Sequence, residues 1–253
     1  MLVRSSVAAE EFAIELSDEL TDAGAEVTTN PEEVPDMIVA VGGDGTMLGA
    51  VRNAIEWDVP VVGFNLGTLG FLTEAEPDEM SAVVKRLVTG DYEMEERLSV
   101  AAAIGGVSAN GINDVVVEKV DSTRLISLAV VIDGTHFATY RADGLIVATP
   151  TGSTAYSFSA GGPIVDPSVD ALVLTPVASH SMFDRPIVLP AESIIEATVL
   201  TDRPVRVNVD KCDLGQIAEG ETVRIGRGVR PARFVRLRSS TFPDLVRTKF
   251  GLD

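Results

Sequence analysis

MIVAVGGDGTMLGA, residues 37–50, joins an unbroken apolar run to a glycine turn and then to a helix-like pattern. Met37 to Val41, bounded by Asp36 and Gly42, suits a strand buried on both faces of a parallel sheet. Gly42, Gly43 and Gly45 allow positive φ and close approach of a ligand, while Met47 to Ile55 has the apolar content of a helix. Strand, glycine turn and helix start make an anion site, because free N–H groups and the positive end of the helix dipole face a phosphate there. Asp44 is the only ionisable group inside the turn, and a carboxylate repels phosphate. It therefore needs a reason: it takes a proton from a hydroxyl about to attack a phosphoryl group or helps hold a metal, or else it caps the helix, as Thr46 also could.

Outward from this turn, the first 96 residues alternate strands and helices. Phe12, Ala13, Leu16 and Leu20 recur at helical steps, with Gly24 as a stop, and an acidic loop spans Val27 to Val34. Pro60 introduces a strand at Val61 to Phe64. Asn65 to Leu72, NLGTLGFL, then puts two glycines just after a strand end, where open α/β sheets place their ligand crevice; a plain glycine loop plugged by leucines fits equally well. Pro77 and Asp78 open a helix through Leu87 that ends by Gly90. There is no GxxxxGK[ST], which excludes a P-loop, and no GxGxxG dinucleotide fingerprint.

From Leu98 the texture changes to short β-type runs: 98–104, 115–117, 125–132, 135–139, 145–148, 172–174, 194–200, 205–209 and 223–225. Asn110-Gly111 and Asp133-Gly134 are hairpin signals. Pro243 to Phe250 reads as a helix. The fold expected is a Rossmann-like α/β domain followed by an all-β sandwich-like domain, with the C-terminal segment returning to the first. The boundaries expected are 1–96 with 237–253, and 97–236.

The chain is 253 residues long with 45% hydrophobic residues, enough for a sizeable core. Its single cysteine, Cys212, excludes an intramolecular disulfide framework and a CxxC zinc pair, so a reducing compartment is expected. No apolar run approaches the ~18 residues that span a bilayer, and no leader pattern opens the chain, so the location expected is cytoplasmic. A formal charge of −18 opposes non-specific nucleic-acid binding. Four lysines against sixteen arginines and thirty-eight acids resemble proteins that work in molar salt, where a Debye length of ~3 Å screens such self-repulsion.

The densest polar segment is Arg141 to Asp166, RADGLIVATPTGSTAYSFSAGGPIVD. It carries Thr149, Thr151, Ser153, Thr154, Tyr156, Ser157 and Ser159 after an apolar strand. Each buried hydroxyl left unpaired costs about 1–3 kcal/mol, so such a run is hard to explain as core. Hydroxyls, backbone amides and one aromatic together suit a purine and its ribose. His180 has no second ligand at metal spacing and reads as a structural group.

These motifs together resemble the NAD kinase family, ATP- or polyphosphate-dependent enzymes that phosphorylate the 2′-hydroxyl of the adenosine ribose of NAD. Gly42-Gly43-Asp44-Gly45-Thr46 is similar to its GGDGT motif, Asn113-Asp114 to its Asn-Glu/Asp pair, and Asp143-Gly144 with 149–156 and 159–163 to its longest motif. Asn65-Leu66-Gly67 with 69–72, His180-Ser181 with Arg185-Pro186, and Lys249-Phe250-Gly251 add to the resemblance, which covers nearly everything from residue 37 onward. A lone GGDG is shared with phosphofructokinases and lipid or sphingoid kinases; the Ser/Thr-rich motif is not expected there.

The resemblance implies roles. Asp44 is the general base; Gly42, Gly43, Gly45 and Thr46 hold phosphate; Mg²⁺ or another divalent cation comes with the donor. Asn113 and Asp114 hold the nicotinamide-side ribose. Thr154, Ala155 and Tyr156 line the adenine pocket, with Ser157, Phe158 and Ser159 in the same run, Arg141 and Asp143 on the same wall, and Arg124 as a further contact. No resident protein metal is implied, and a homodimer or homotetramer is. Rival readings are a catalytically silent NAD(P)-binding regulator and a lipid or sphingoid kinase. Two departures stand out: Asp210-Lys211-Cys212 replaces the family's Asp-Gly-Gln, and only Leu2 to Arg4 remain of an expected first strand, which is therefore clipped or absent.

Overall fold

The computed structural model describes residues 2–3, 7–67, 70–121 and 123–252. The chain divides into two units, Met1–Glu96 with Ala232–Asp253, and Arg97–Pro231. In the first unit β1 (Leu2–Val3), α1 (Val7–Asp22), β2 (Ile38–Val41), α2 (Asp44–Trp57), β3 (Val61–Phe64), α3 (Met80–Thr89) and β4 (Glu93–Arg97) precede the second unit; β17 (Ala232–Arg236) and α5 (Phe242–Phe250) follow it. The sheet order is β1-β2-β3-β17-β4, with β1/β2, β2/β3 and β3/β17 parallel. The return thus begins at Ala232, not at residue 237. The alternation in ARFVR hid a strand whose Phe234 and Val235 are buried while its arginines reach outward to partners.

Ala9, Phe12, Ala13, Leu16 and Leu20 bury one face of α1, and the Phe12 ring lies 5.4 Å from that of Phe64. Gly24, at φ 94°, adopts the left-handed conformation that ends the helix. The expected start of α2 at Met47 is corrected to Asp44, with Gly43 as N-cap. Its face Met47, Leu48, Ala50, Val51, Ala54 and Ile55 lies so close to the sheet that a Cβ on Gly63 would overlap the Met47 sulfur. Leu2 and Val3 of β1 pair in parallel with Ala40 and Val41 of β2. A 3₁₀ turn at Pro77–Glu79 leads into α3, and Thr241 with Asp244 forms a capping box on α5.

The second unit is a sandwich of two six-stranded antiparallel sheets. Its strands are β5 (Val100–Ile104), β6 (Val107–Gly111), β7 (Asp114–Lys119), β8 (Ile126–Ile132), β9 (Thr135–Ala142), β10 (Gly144–Ala148), β11 (Ala171–Val177), β12 (Ile187–Pro190), β13 (Ile195–Val199), β14 (Val205–Val209), β15 (Cys212–Ile217) and β16 (Thr222–Arg227), with a one-turn helix α4 (Tyr156–Ser159). The orders are β12-β11-β10-β7-β14-β15 and β6-β5-β16-β13-β8-β9. Alternate residues of both sheets, among them Val115, Val117, Leu145, Val147, Val100, Leu128, Ile195 and Val223, form one core. The outer face of β7, β10 and β11 is covered as well: Val116, Ile146, Ala148 and Val173 pack against Ala160 and Val165. That second cover explains why residues 145–148 read as apolar without alternation.

Asp133 (φ 49°) and Gly134 (φ 78°) make the β8–β9 turn as expected. Asn110-Gly111 does not turn; both residues pair within β6, and the hairpin is at Gly105 (φ 52°) and Gly106 (φ 86°). Gly111 is a glycine for another reason: a Cβ there would lie 2.7 Å from the Asp210 carboxylate. No helix among the described residues is long and apolar enough to cross a membrane.

Candidate functional site

In the first unit the candidate site residues sit at the C-terminal ends of β2 and β3. Gly42, at φ 148°, donates its N–H to the Phe64 carbonyl, and the N–H of Thr46 donates to the Gly43 carbonyl as the first turn of α2 closes. The phosphate-site expectation is corrected accordingly: the amides of Gly42 and Thr46 are occupied, and among the described residues those of Gly43, Asp44 and Gly45 have no intramolecular partner. The capping alternative for Asp44 also falls, since Gly43 is the N-cap and Asp44 is the first residue inside the helix. Its carboxylate instead accepts from the next strand's turn, with Phe71 N–H on Oδ2 at 3.0 Å and Leu72 N–H on Oδ1 at 3.1 Å. Gly70 makes the approach possible, because a Cβ there would overlap Asp44 Oδ1. The two glycine turns are therefore one device. The Asn65 side chain braces the second by donating to the Gly67 carbonyl at 2.7 Å; Thr68 and Leu69 lie outside the described residues.

In the second unit Asn113 and Asp114 begin β7, and an aspartate from the β14–β15 turn organises them. Asp210, at φ 46° and 5% exposed, accepts the amides of Ile112 (2.6 Å), Asn113 (2.8 Å) and Asp114 (3.1 Å) on its carboxylate. Its own N–H donates to the Asp114 carbonyl at 3.1 Å. Asp210 was missed as a site residue; its signal was its place before Lys211 and Cys212 in the departed motif. Asp114 is only 6% exposed, and burial first, then the Asp210 charge, push its carboxyl up to about 7 against the pull of Lys211. Lys211, at φ 67°, occupies a left-handed position that favours glycine.

The polar segment folds over this strand end. Gly152 lies on Asn113, where a Cβ would overlap the Asn113 carbonyl, and Thr149 N–H donates to that same oxygen at 2.8 Å. Several hydroxyls expected to meet ligand are instead paired inside the protein. Ser153 accepts the Val165 amide at 2.9 Å, and Ser157, fully buried, faces Thr175 Oγ1 at 2.9 Å beneath Gly162. Ser157 is thus corrected from a ligand contact to part of the scaffold. Tyr156 (42% exposed), Phe158 (40%) and Ser159 are turned outward, with Thr154 and Ala155 half-buried. Tyr156 and Asp143 line one cavity of about 190 Å³ with Glu118, Lys119, Val120, Gly144 and Val177. Lys119 Nζ pairs with Asp143 at 2.5 Å across its wall. Burial, then Glu118, Asp143 and Asp114, raise the Tyr156 phenol above its usual value.

Arg124 and Arg141 are exposed, and neither lines that cavity. The Arg141 backbone anchors the 178–181 loop, accepting His180 N–H at 2.8 Å and donating to Ser181 Oγ at 2.9 Å. His180 is held through its backbone N–H.

Residues 4–92 match the ATP-NAD kinase N-terminal domain and residues 112–237 the ATP-NAD kinase C-terminal domain. An NAD kinase of Geotalea daltonii is 38% identical over 88% of this chain and 81% of its own length; one of Gemmatimonas aurantiaca is 41% identical over 95% and 86%. Among solved structures, yeast NADH kinase complexed with NADH superposes with a TM-score of 0.80 at 30% identity, covering 87% of this chain and 67% of the other. An NAD kinase from Archaeoglobus fulgidus in complex with ATP gives 0.77 at 28%, covering 94% and 93%. A lipid or sphingoid kinase sharing only the GGDG half does not account for a match through residue 237. With both domain models matched over most of its length and curated NAD kinases 38–41% identical across most of both chains, the chain belongs to the NAD kinase family.

Proposed function

We propose that Asp44 is the base of the reaction, accepting the proton of the NAD adenosine-ribose 2′-hydroxyl as a phosphoryl group reaches that oxygen. The observation that carries this is the double grip on Asp44: a carboxylate held by two amides has a fixed direction, and a weakly basic group contributes mostly through position. Amides of Gly43, Asp44 and Gly45 receive donor phosphate at the start of α2. The donor is ATP or polyphosphate, and the divalent ion arrives bound to it as part of that substrate, neutralising charge on the transferred group.

Asp114 and Asn113 take the nicotinamide-side ribose. A carboxylate accepts the protons of two vicinal hydroxyls well, and Asp210 supplies the backbone geometry. Tyr156, with Thr154, Ala155, Phe158 and Ser159, receives adenine. The outward Tyr156 ring on the wall of a cavity of about 190 Å³ supports this, and Asp143, held by Lys119, forms another part of that wall. Arg124 and Arg141, both exposed, are contacts only with ligand bound. The enzyme works in the cytoplasm at high salt as a homodimer or homotetramer; the charge of −18 with few lysines supports the salt adaptation.

The test is NADP formation from NAD and Mg²⁺ with ATP or polyphosphate, comparing wild type with Asp114→Ala and Tyr156→Ala. Each substitution is expected to raise the KM for NAD at least about tenfold, the loss of one good polar or stacking contact. Unchanged KM values in folded variants would remove the pocket assignment.

A further inference from the structure

The amides that hold Asp44 lie in an irregular turn, so something must fix that turn. Gly70 N–H donates to Thr73 Oγ1 at 3.2 Å and closes it from within; Thr73 is 5% exposed. Glu74 follows, its N–H on the Gly63 carbonyl at 3.0 Å, which ties it to β3. The Glu74 side chain is 7% exposed and fully engaged: Arg236 meets Oε1, while the amides of Leu237 (3.0 Å) and Arg238 (3.2 Å) donate to Oε2. Arg236 is in turn clasped by Glu95 at 3.1 Å and the Ser240 carbonyl at 3.2 Å. Arg238 reaches Glu79 at 2.8 Å, and Arg86 donates to the Leu237 carbonyl at 2.7 Å. The segment after the second glycine turn is thus fastened, through one buried carboxylate, to the C-terminal end of β17.

We propose that Thr73, Glu74 and Arg236 are positioning residues for phosphoryl transfer: they fix the Phe71 and Leu72 amides that aim the Asp44 carboxylate. The inference rests on Asp44 being the base. Stability alone is a poor explanation for the arrangement, because a buried ion pair gives little net stabilisation compared with apolar residues of the same shape. What it does supply is direction. A carboxylate shared between a guanidinium and two consecutive amides fixes the end of β17 against the turn at three points, and the Thr73 hydroxyl fixes the turn's own curvature. Without them the Phe71 and Leu72 amides shift, Asp44 regains rotamer freedom, and the proton-accepting oxygen leaves the line of attack.

The test uses the full chain with Thr73→Val, Thr73→Ser, Glu74→Gln and Arg236→Lys, each alone and combined with Asp44→Asn. In the wild-type background kcat is expected to fall about ten- to a hundredfold for Thr73→Val and Glu74→Gln, the scale of an ångström-level misplacement, with the KM for NAD within about threefold. Thr73→Ser, which keeps the hydroxyl, restores the rate. Combined with Asp44→Asn the same substitutions have no further effect. In parallel, amide proton shifts of Phe71 and Leu72 in Thr73→Val move toward their values in Asp44→Asn. Equal losses in both backgrounds, or unmoved amide shifts with wild-type kcat in folded Thr73→Val, overturn the proposal; should Glu74→Gln fail to fold, the Thr73 pair decides. An undiminished rate in Asp44→Asn would instead overturn the base assignment beneath it.

Discussion

Asp114 gives the sharpest pH prediction. Its carboxyl is pushed from 3.8 to about 7, chiefly by burial and next by the Asp210 charge. At about 1.36 kcal/mol per pKa unit, the ionised form is disfavoured by about 4 kcal/mol in the unliganded protein. Only that form accepts both protons of a vicinal diol, so productive NAD binding follows its ionised fraction. That fraction is about one in eleven at one unit below the pKa and about ten in eleven at one unit above it. The kcat/KM for NAD should therefore rise about tenfold between pH ~6 and ~8, at saturating donor and constant molar KCl. The sign for stability is opposite. A raised carboxyl pKa in the folded state stabilises below about pH 4, and that contribution is lost as pH rises through about 7. Asp210→Asn keeps a residue that tolerates the left-handed backbone and removes the second cause, so the limb moves to lower pH while burial keeps it above the usual carboxylate range. Initial rates across pH 5.5–9 measure this. A flat kcat/KM, or an identical limb in Asp114→Asn, would refute the reasoning.

Gly70→Ala places a methyl onto Asp44 Oδ1, so kcat should fall by about a hundredfold with the fold retained, read by steady-state kinetics and thermal unfolding; full activity would show that the grip is dispensable. Lys211→Gly relieves a left-handed lysine and should raise stability by up to about 1 kcal/mol, while moving the Asp114 limb to higher pH because an attractive cation is gone; a lower melting temperature or a limb moved down would contradict this. Raising KCl from ~0.1 M to ~2 M should raise the melting temperature by screening the −18 charge, and a flat or falling trend would count against the salt reading.

The α/β-then-β architecture was legible because each unit keeps its own hydrophobic period. The β3 strand was read to the residue, and the β8–β9 turn was given away by Asp133-Gly134. What escaped was set by distant contacts. Asn110-Gly111 has turn chemistry, yet its glycine serves the approach of Asp210 from a turn 99 positions on, a constraint no local pattern carries. The arginines and glutamates of β4 and β17 masked strands at and beside the sheet edge, because their charges pair across the sheet instead of alternating with solvent. In the site, GGDGT pointed to Asp44 and left a helix cap as the alternative; that its partners are Phe71 and Leu72 was hidden, although NLGTLGFL was already conspicuous. Ser157 and Ser153 looked like ligand hydroxyls because sequence does not reveal that Thr175 and Val165 are already beside them.

The central claim is that Asp44 takes the proton in phosphoryl transfer to NAD. The measurement is NADP formation by wild type and Asp44→Asn in molar KCl with NAD, Mg²⁺ and either ATP or polyphosphate, alongside thermal unfolding of both. The account predicts NADP from the wild type with at least one donor and a loss of at least about a hundredfold in a folded Asp44→Asn enzyme. A folded Asp44→Asn enzyme with the wild-type rate would contradict it.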